Sequence, residues 1–203
     1  MKKILQINSS ILGDQSASKI LSDYTVDALK SNEDIQLISR DCLGIPHLDE
    51  QSLIAFSGQG SNISEGHKKL LDLSDVLISE LVEADALVIG VPMYNFGIPS
   101  QLKSFFDFIC RVGITFKYTE SGSVGLLSNK KVYILNTRGG IYHSLGQDFI
   151  TPYLKQIFQF IGITDLNFIY AEGLNMDNGA SKDKFIEDAK LHIDKLITPL
   201  VTA

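Results

Sequence analysis

Short apolar runs alternate along this sequence with longer stretches in which apolar residues recur at helical spacing. The runs occupy residues 2–7, 35–38, 86–91, 131–135 and 166–171, each short enough to be a strand buried on both faces of a parallel sheet. Helices are predicted through residues 20–29, from about 67 to the third strand, through 102–109, and over 152–161 and 181–196. The alternation predicts an α/β fold, a doubly wound five-stranded parallel sheet with helices on both faces.

Two segments interrupt this alternation. Residues 41–66 hold many serines and glutamines together with glycine and proline, which predicts a long surface excursion of the kind that covers a site or a partner. Residues 115–125 (TFKYTESGSVG) alternate and turn, which predicts a small hairpin or an extended loop. Because the sequence has no internal repeat or linker, residues 1–203 are expected to form a single domain.

Composition narrows the classes of protein that fit this pattern. With 44% hydrophobic and 21% charged residues the chain is typical of a soluble globular protein, and its net charge of −6 argues against nonspecific nucleic-acid binding. The first apolar run is too short for a signal peptide and no later segment is long enough to span a bilayer, so no membrane partner is expected. Cys42 and Cys110 lie far apart, which favours free thiols and a cytoplasmic location, with Cys110 buried as a small hydrophobe.

The first unusual loop, here called the serine loop, covers residues 8–18 (NSSILGDQSAS) after the first predicted strand. It is crowded with hydroxyls and leads into a helix, with Ser16 or Ser18 as the N-cap. Backbone N–H groups converge at a helix N-terminus, where the helix dipole also favours an anion. The loop therefore indicates either a phosphate site or simple capping of the helix, and its residues alone do not separate the two.

Two further loops follow the third and fourth predicted strands. The aromatic loop, residues 92–99 (PMYNFGIP), lies at the carboxyl end of a central strand, where open α/β sheets bind ligands. The alternative is an ordinary connection that packs Tyr94 and Phe96 into the core. The glycine loop, residues 137–140 (TRGG), allows a ligand to approach the backbone closely, or is merely a tight turn.

The three loops meet if the sheet has the strand order 2-1-3-4-5, because the loops after strands one, three and four then share one edge. A phosphate would lie on the serine loop and a planar ring between the aromatic and glycine loops. This arrangement suits FMN better than a dinucleotide, because the sequence lacks the glycine fingerprint that binds a pyrophosphate.

The chain also resembles a known family across almost its entire length. The matching stretches, in order, are SSILGDQSAS, PMYNF, QLKSFFD, TFKYTESG, TRGG, TPYL and FIGITD. They resemble the FMN-dependent NADH:quinone oxidoreductases and azoreductases, a flavodoxin-like homodimeric family. The resemblance implies two-electron reduction of quinones and aromatic azo compounds by NADH. It also implies that FMN is held by Ser10, Ser16, Ala17, Ser18, Met93, Tyr94, Asn95, Phe96, Thr137, Arg138, Gly139 and Gly140.

The flavin would carry the chemistry, so no catalytic side chain and no metal are expected. Backbone N–H groups of Asn95, Phe96 and the two glycines are expected to bind the pyrimidine edge of the ring, with the glycines required by closeness or by positive φ. Arg138 either adds positive charge there or is a solvated side chain. Tyr118 and Phe160 are expected to wall the substrate pocket, with core or interface packing as the alternative.

The expected mechanism is ping-pong, because nicotinamide and quinone are both flat and must reach the same flavin surface. A homodimer is expected from the resemblance, and the apolar side of the helix through 102–109 is predicted to supply part of its two-fold contact. Two alternatives stay open: a flavodoxin-like electron carrier, and a hydrolase such as an acyl-carrier-protein phosphodiesterase. The excursion at 41–66 favours a covered small-molecule site over the carrier, and the scattered histidines disfavour a metal hydrolase.

Overall fold

A computed structural model of the chain describes residues 1–57 and 64–197. Its elements alternate as the sequence predicts, and the strands and helices are listed here in chain order. They are β1 (Lys2–Asn8), α1 (Ala17–Asn32), β2 (Ile35–Asp41), α2 (Glu50–Ser57), α3 (Glu65–Glu83), β3 (Ala86–Pro92), α4 (Ser100–Ile109), β4 (Phe116–Thr119), β5 (Gly122–Gly125), β6 (Lys131–Thr137), α5 (Ile150–Ile161), β7 (Asp165–Ala171) and α6 (Lys182–Ile197).

Five of the strands form one parallel sheet in the order β2-β1-β3-β6-β7. This is the predicted order 2-1-3-4-5, with the hairpin strands β4 and β5 outside the main sheet. Each of the five strands is seven residues long, one to three residues longer than its apolar run. The carboxyl ends of β1, β3 and β6 are neighbours, so the loops that follow them share one edge of the sheet.

Successive residues of a central strand face opposite sides of the sheet, and each side has its own core. Leu87 and Ile89 of β3 pack on the side of α3, α4 and α5, whereas Val88 packs on the side of α1 and α6. The apolar residues of α4 are fully buried in the first of these cores. The prediction that α4 supplies a two-fold contact is therefore wrong, since its apolar side already packs on its own sheet.

Helix α2 was not predicted, because residues 41–66 show no helical repeat long enough to identify one. Its first turn is capped by Asp49, whose Oδ1 accepts hydrogen bonds from the backbone N and the Oγ of Ser52 at 2.8 and 2.7 Å. Phe56 packs edge-on against Phe108 of α4, with ring centroids 5.2 Å apart. The excursion is thus partly a short helix packed on the core, and residues 58–63 lie outside the described residues. In the described part of the chain, no helix is both long and apolar enough to cross a bilayer.

The predicted hairpin is confirmed as the antiparallel pair β4 and β5. It packs against the C-terminal end of α5, where the N–H of Leu127 donates to the carbonyl of Ile161 at 2.9 Å. Backbone meets backbone at this contact, because an ideal Cβ on Gly125 would lie only 2.0 Å from the nitrogen of Gly162. Gly162 itself ends α5 with a left-handed φ of 99°. Only glycines at these two positions let the hairpin approach the helix.

Both cysteines of the described chain are free thiols. Cys42 is fully buried and Cys110 is half-buried at the end of α4. Burial raises the pKa of each thiol to about 12. Cys110 is therefore held as an unreactive thiol and packs as a small hydrophobe, as the sequence predicts.

Candidate functional site

The serine loop ends where α1 begins, and Ser16 occupies the N-cap position. Its hydroxyl does not cap the helix, however, and instead lies 2.8 Å from the hydroxyl of Ser18. Both side chains are buried at the carboxyl edge of the sheet. Simple capping by the Ser16 hydroxyl, one of the two alternatives from the sequence, is therefore wrong, and within residues 1–57 and 64–197 the first N–H groups of α1 have no protein acceptor. Such a helix start suits a phosphate group.

The aromatic loop turns back on itself within four residues. The N–H of Tyr94 donates to the carbonyl of Gly97 at 3.0 Å, and the N–H of Gly97 donates to the carbonyl of Tyr94 at the same distance. The two residues at the tip, Asn95 and Phe96, have left-handed φ values of 49° and 66°. A bulky residue adopts this conformation at a cost on the order of 1 kcal/mol, and such strain concentrates at functional sites.

Neither aromatic side chain of this loop packs into the core. Phe96 is 55% exposed and stands edge-on to Tyr142, with ring centroids 5.6 Å apart. Tyr94 is half-buried, and its hydroxyl lies 3.0 Å from that of Ser10. Within residues 1–57 and 64–197, the N–H groups of Asn95 and Phe96 donate to no protein acceptor. The turn therefore presents two uncommitted donors on the edge of the sheet.

Hydrogen bonds join the three loops, as their predicted convergence requires. The Tyr94 hydroxyl links the aromatic loop to the serine loop through Ser10 and through the N–H of Ile11 at 3.3 Å. The N–H of Met93 donates to the carbonyl of Thr137 at 2.8 Å and links the aromatic loop to the glycine loop. The role of Gly90 in β3 was not predicted from the sequence. A Cβ at this position would lie 3.1 Å from the carbonyl oxygen of Ser18. Gly90 lets the start of α1 lie directly against the central strand.

The glycine loop needs its glycines for closeness and not for backbone conformation. Neither Gly139 nor Gly140 has a positive φ, so that part of the prediction is wrong. A Cβ on Gly139 would lie 2.7 Å from Nδ2 of Asn175, and one on Gly140 would lie 3.0 Å from the ring of Tyr142. In the described chain the N–H groups of both glycines, like those of the aromatic turn, donate to no protein acceptor.

Arg138 follows neither of its two predicted arrangements. It is only 1% exposed, so it is not a solvated side chain. Its Nη2 lies 2.7 Å from Oδ1 of Asp148, as an ion pair without hydrogen-bond alignment, and its Nη1 donates to Oε1 of Glu172 at 3.1 Å. Two carboxylates therefore balance the guanidinium, which stacks 5.3 Å from the ring centroid of Tyr170. Arg138 holds the glycine loop to its surroundings and offers no free positive charge.

Asp148 lies at the centre of this buried cluster, beside the start of α5. Its Oδ1 also accepts from the N–H groups of Ile150 and Thr151, both at 3.0 Å. Burial opposes ionisation, but the neighbouring Arg138 guanidinium and the hydrogen bonds from Thr151 and His143 outweigh it and hold the pKa of Asp148 well below its usual range. Asp148 lies four residues before the helix predicted over 152–161 and two before the observed start of α5, so its capping role became visible only with the observed helix start.

Tyr118 and Phe160 lie together, although not beside the three loops of their own chain. Phe116 packs between them, with ring centroids 4.2 Å from Phe160 and 5.5 Å from Tyr118. Tyr118 is 70% exposed. Phe160 is in the last turn of α5, whereas Thr151 in the first turn marks the edge that carries the loops. Phe160 comes nine residues after Thr151, which is about 13 Å along the helix axis.

The donors of this edge fit FMN. Among the described residues, N–H groups without a protein acceptor occur at the start of α1, which suits a phosphate, and on the aromatic and glycine loops, which suit the carbonyl-rich edge of a flavin ring. A further buried donor, Nδ2 of Asn136, has no acceptor in the described part of the chain. Buried donors are normally satisfied, so this surplus indicates a ligand or water that supplies acceptors.

This sheet order, with helices on both faces, defines a flavodoxin-like protein, and a family model described as Flavodoxin-like fold matches residues 2–197. An FMN-dependent NADH:quinone oxidoreductase of Cellvibrio japonicus is 44% identical over 97% of this chain and 99% of its own. A protein of the same name from Alcanivorax borkumensis is 46% identical over 92% of this chain and 96% of its own. The crystal structure of an FMN-dependent NADH-azoreductase from Bacillus anthracis in complex with FMN superposes with a TM-score of 0.85, at 27% identity over 98% of this chain and all of that one. The chain belongs to the family of FMN-dependent NADH:quinone oxidoreductases and azoreductases.

Proposed function

We propose that this protein is a single-domain FMN-dependent oxidoreductase that uses NADH for the two-electron reduction of quinones and of aromatic azo compounds. One observation carries the proposal: uncommitted backbone donors at residues 95–96 and 139–140 lie on two loops that the Met93–Thr137 hydrogen bond joins. The names of the relatives from Cellvibrio japonicus and Alcanivorax borkumensis support the same activity. The azoreductase from Bacillus anthracis supports the cofactor.

In this proposal each loop has one role. The serine loop holds the phosphate through Ser10, Ser16, Ala17 and Ser18. The aromatic loop holds the ring through Met93, Tyr94, Asn95 and Phe96, and the glycine loop does so through Thr137, Gly139 and Gly140, while Arg138 anchors the glycine loop from behind. Bound FMN supplies the hydride chemistry, and backbone donors at the pyrimidine edge stabilise the negative charge of the reduced ring. Solvent serves as the proton source, so no side chain is assigned as a general acid.

The two substrates bind in turn. Nicotinamide and quinone are flat and each must come within contact distance of the same flavin surface, so they cannot occupy it together. NADH therefore binds, reduces the protein and leaves before the acceptor enters, which is a ping-pong mechanism. Initial rates at several fixed quinone concentrations should give parallel double-reciprocal lines. Intersecting lines would mean that both substrates bind at once.

The substrate pocket is completed by a second copy of the chain. Phe160 lies about 13 Å along α5 from the edge that carries the loops, and Tyr118 lies beside it across Phe116, so we infer that they reach the flavin of the other subunit. Exposed apolar side chains at the loop edge, Leu12, Leu145 and Phe149 among them, are suited to an interface. Sedimentation at micromolar concentration should give a homodimer, and a fully active monomer would contradict it. We place the enzyme in the cytoplasm, where NADH is available and thiols such as Cys42 stay reduced.

The decisive experiment removes the flavin and returns it. Purified protein should be yellow and should release FMN, not FAD, on denaturation. Flavin-free protein should have no NADH:quinone reductase activity and should regain it with FMN but not with FAD. Protein that is colourless and fails to bind FMN at micromolar concentration would exclude the proposal. Very slow reduction by NADH in stopped-flow measurements would instead indicate an electron carrier.

A further inference from the structure

A fourth loop, here called the bracing loop (residues 172–179), supports the glycine loop from the outer side of the sheet. It follows β7, the edge strand next to β6. Three consecutive N–H groups of the bracing loop donate to three consecutive carbonyls of the glycine loop. These bonds run from Gly173 to Gly140 at 3.0 Å, from Leu174 to Arg138 at 3.1 Å and from Asn175 to Gly139 at 3.0 Å. The carbonyl groups of residues 138–140 therefore all accept hydrogen bonds from the protein itself.

Glu172, the first residue of the bracing loop, fixes the chain that follows the glycines. Its Oε1 accepts from the N–H groups of Tyr142 and His143, both at 2.9 Å, and from Nη1 of Arg138 at 3.1 Å. The side chain is 16% exposed. A carboxylate with three donors, one of them charged, holds each of them more firmly than a neutral acceptor would.

These contacts decide where the free donors of the glycine loop lie. The carbonyls of residues 138–140 are bound on one side by the bracing loop, and residues 142 and 143 are bound by Glu172. The peptide units that carry the N–H groups of Gly139 and Gly140 also carry the carbonyls of Arg138 and Gly139, so the bracing loop holds them directly, and Glu172 fixes the chain that follows them. Because both ends are held, the two N–H groups keep one orientation without any ligand contact from Glu172 itself.

We propose that Glu172 is a positioning residue, which pre-orients the N–H groups of Gly139 and Gly140 for the flavin ring. This inference rests on the proposed function, because it concerns the same site. Arg138 takes part in the same set of contacts, because its guanidinium connects Glu172 on the bracing loop to Asp148 beside the start of α5.

The test replaces Glu172 with glutamine, which keeps the shape and removes the charge. Flavin-free Glu172→Gln should bind FMN about tenfold more weakly than the unaltered protein, the effect of losing one charge-assisted hydrogen bond. Riboflavin, which lacks the phosphate, should lose affinity by the same factor because the serine loop is untouched. The midpoint potential of the bound flavin should become more negative, since the reduced ring depends more on the donors than the oxidised ring does.

Glu187→Gln is the matched control. Glu187 also accepts from a cation, Lys190 at 2.7 Å, but it lies on the exposed face of α6. This variant should bind FMN and riboflavin as the unaltered protein does, with the same potential. Glu172→Asp keeps the charge on a shorter side chain and should give intermediate affinities. If the glutamine variant does not fold, the FMN and riboflavin affinities of Glu172→Asp decide the test.

The outcomes separate the inference from the proposed function. If the unaltered protein binds FMN and the Glu172 variants match it in affinity and potential, the positioning role is wrong and the function stands. If FMN affinity falls much more than riboflavin affinity, the change has reached the serine loop. Glu172 is then a general structural residue, which also overturns the inference. Failure of the unaltered protein to bind FMN overturns the proposed function itself.

Discussion

Gly125→Ala is expected to lower the free energy of unfolding by about 3 kcal/mol, the upper part of the range for overpacking. The added Cβ would lie 2.0 Å from the nitrogen of Gly162 and 2.2 Å from the carbonyl carbon of Ile161. Both are backbone atoms of a helix end, which cannot rotate away as a side chain could. The hairpin must therefore separate from α5, with loss of the Leu127–Ile161 hydrogen bond. Urea unfolding followed by circular dichroism measures the change.

Gly66→Ala is the control for this variant. Gly66 is in the first turn of α3, and its added Cβ would have only the hydroxyl of Ser64, at 3.6 Å, nearby. Alanine there should leave stability unchanged or raise it slightly. Gly125→Ala should still bind FMN, because the backbone donors assigned to FMN lie on the three loops and none of them lies on the hairpin. Equal stabilities for the two variants would mean that the hairpin is not held against α5.

Gly140→Val is expected to weaken FMN binding roughly thirtyfold, the effect of two hydrogen bonds worth about 1 kcal/mol each. The Cβ would lie 3.0 Å from the ring of Tyr142, which Phe96 contacts edge-on, so the branched side chain must displace the peptide or the ring. Far-UV circular dichroism should not change, since Gly140 is outside the strands and helices and has no positive φ. Titration of the flavin-free protein with FMN, followed by flavin fluorescence, gives the affinity.

A second variant tests the reason for that loss. Tyr142→Ala in the Gly140→Val background removes the ring that the valine crowds and should recover part of the affinity. Tyr142 remains bound to Glu172 through its backbone N–H, so the support from the bracing loop is kept. Unchanged FMN affinity in Gly140→Val alone would assign the glycine loop to an ordinary turn.

The sequence by itself determined the order of strands and helices and the edge at which a ligand binds. The central strands are buried on both faces, so each one leaves a continuous apolar run such as residues 86–91. The helices bury one side, which leaves a repeat such as that of α4. Loops at the carboxyl ends of neighbouring parallel strands must then meet. These features depend on local spacing, which a single sequence displays.

Only the tertiary structure decided which partners the site residues have. Arg138 and Glu172 are 34 positions apart, and their ion pair leaves no periodic trace in the sequence. Gly125 and Gly162 are required by one backbone approaching another, which is decided by how the hairpin packs. The position of Tyr118 and Phe160 relative to their own loops depends on the packing of the β4–β5 hairpin against the C-terminal end of α5. Contacts between distant segments are set by three-dimensional packing, and the local propensities of a sequence do not predict that packing.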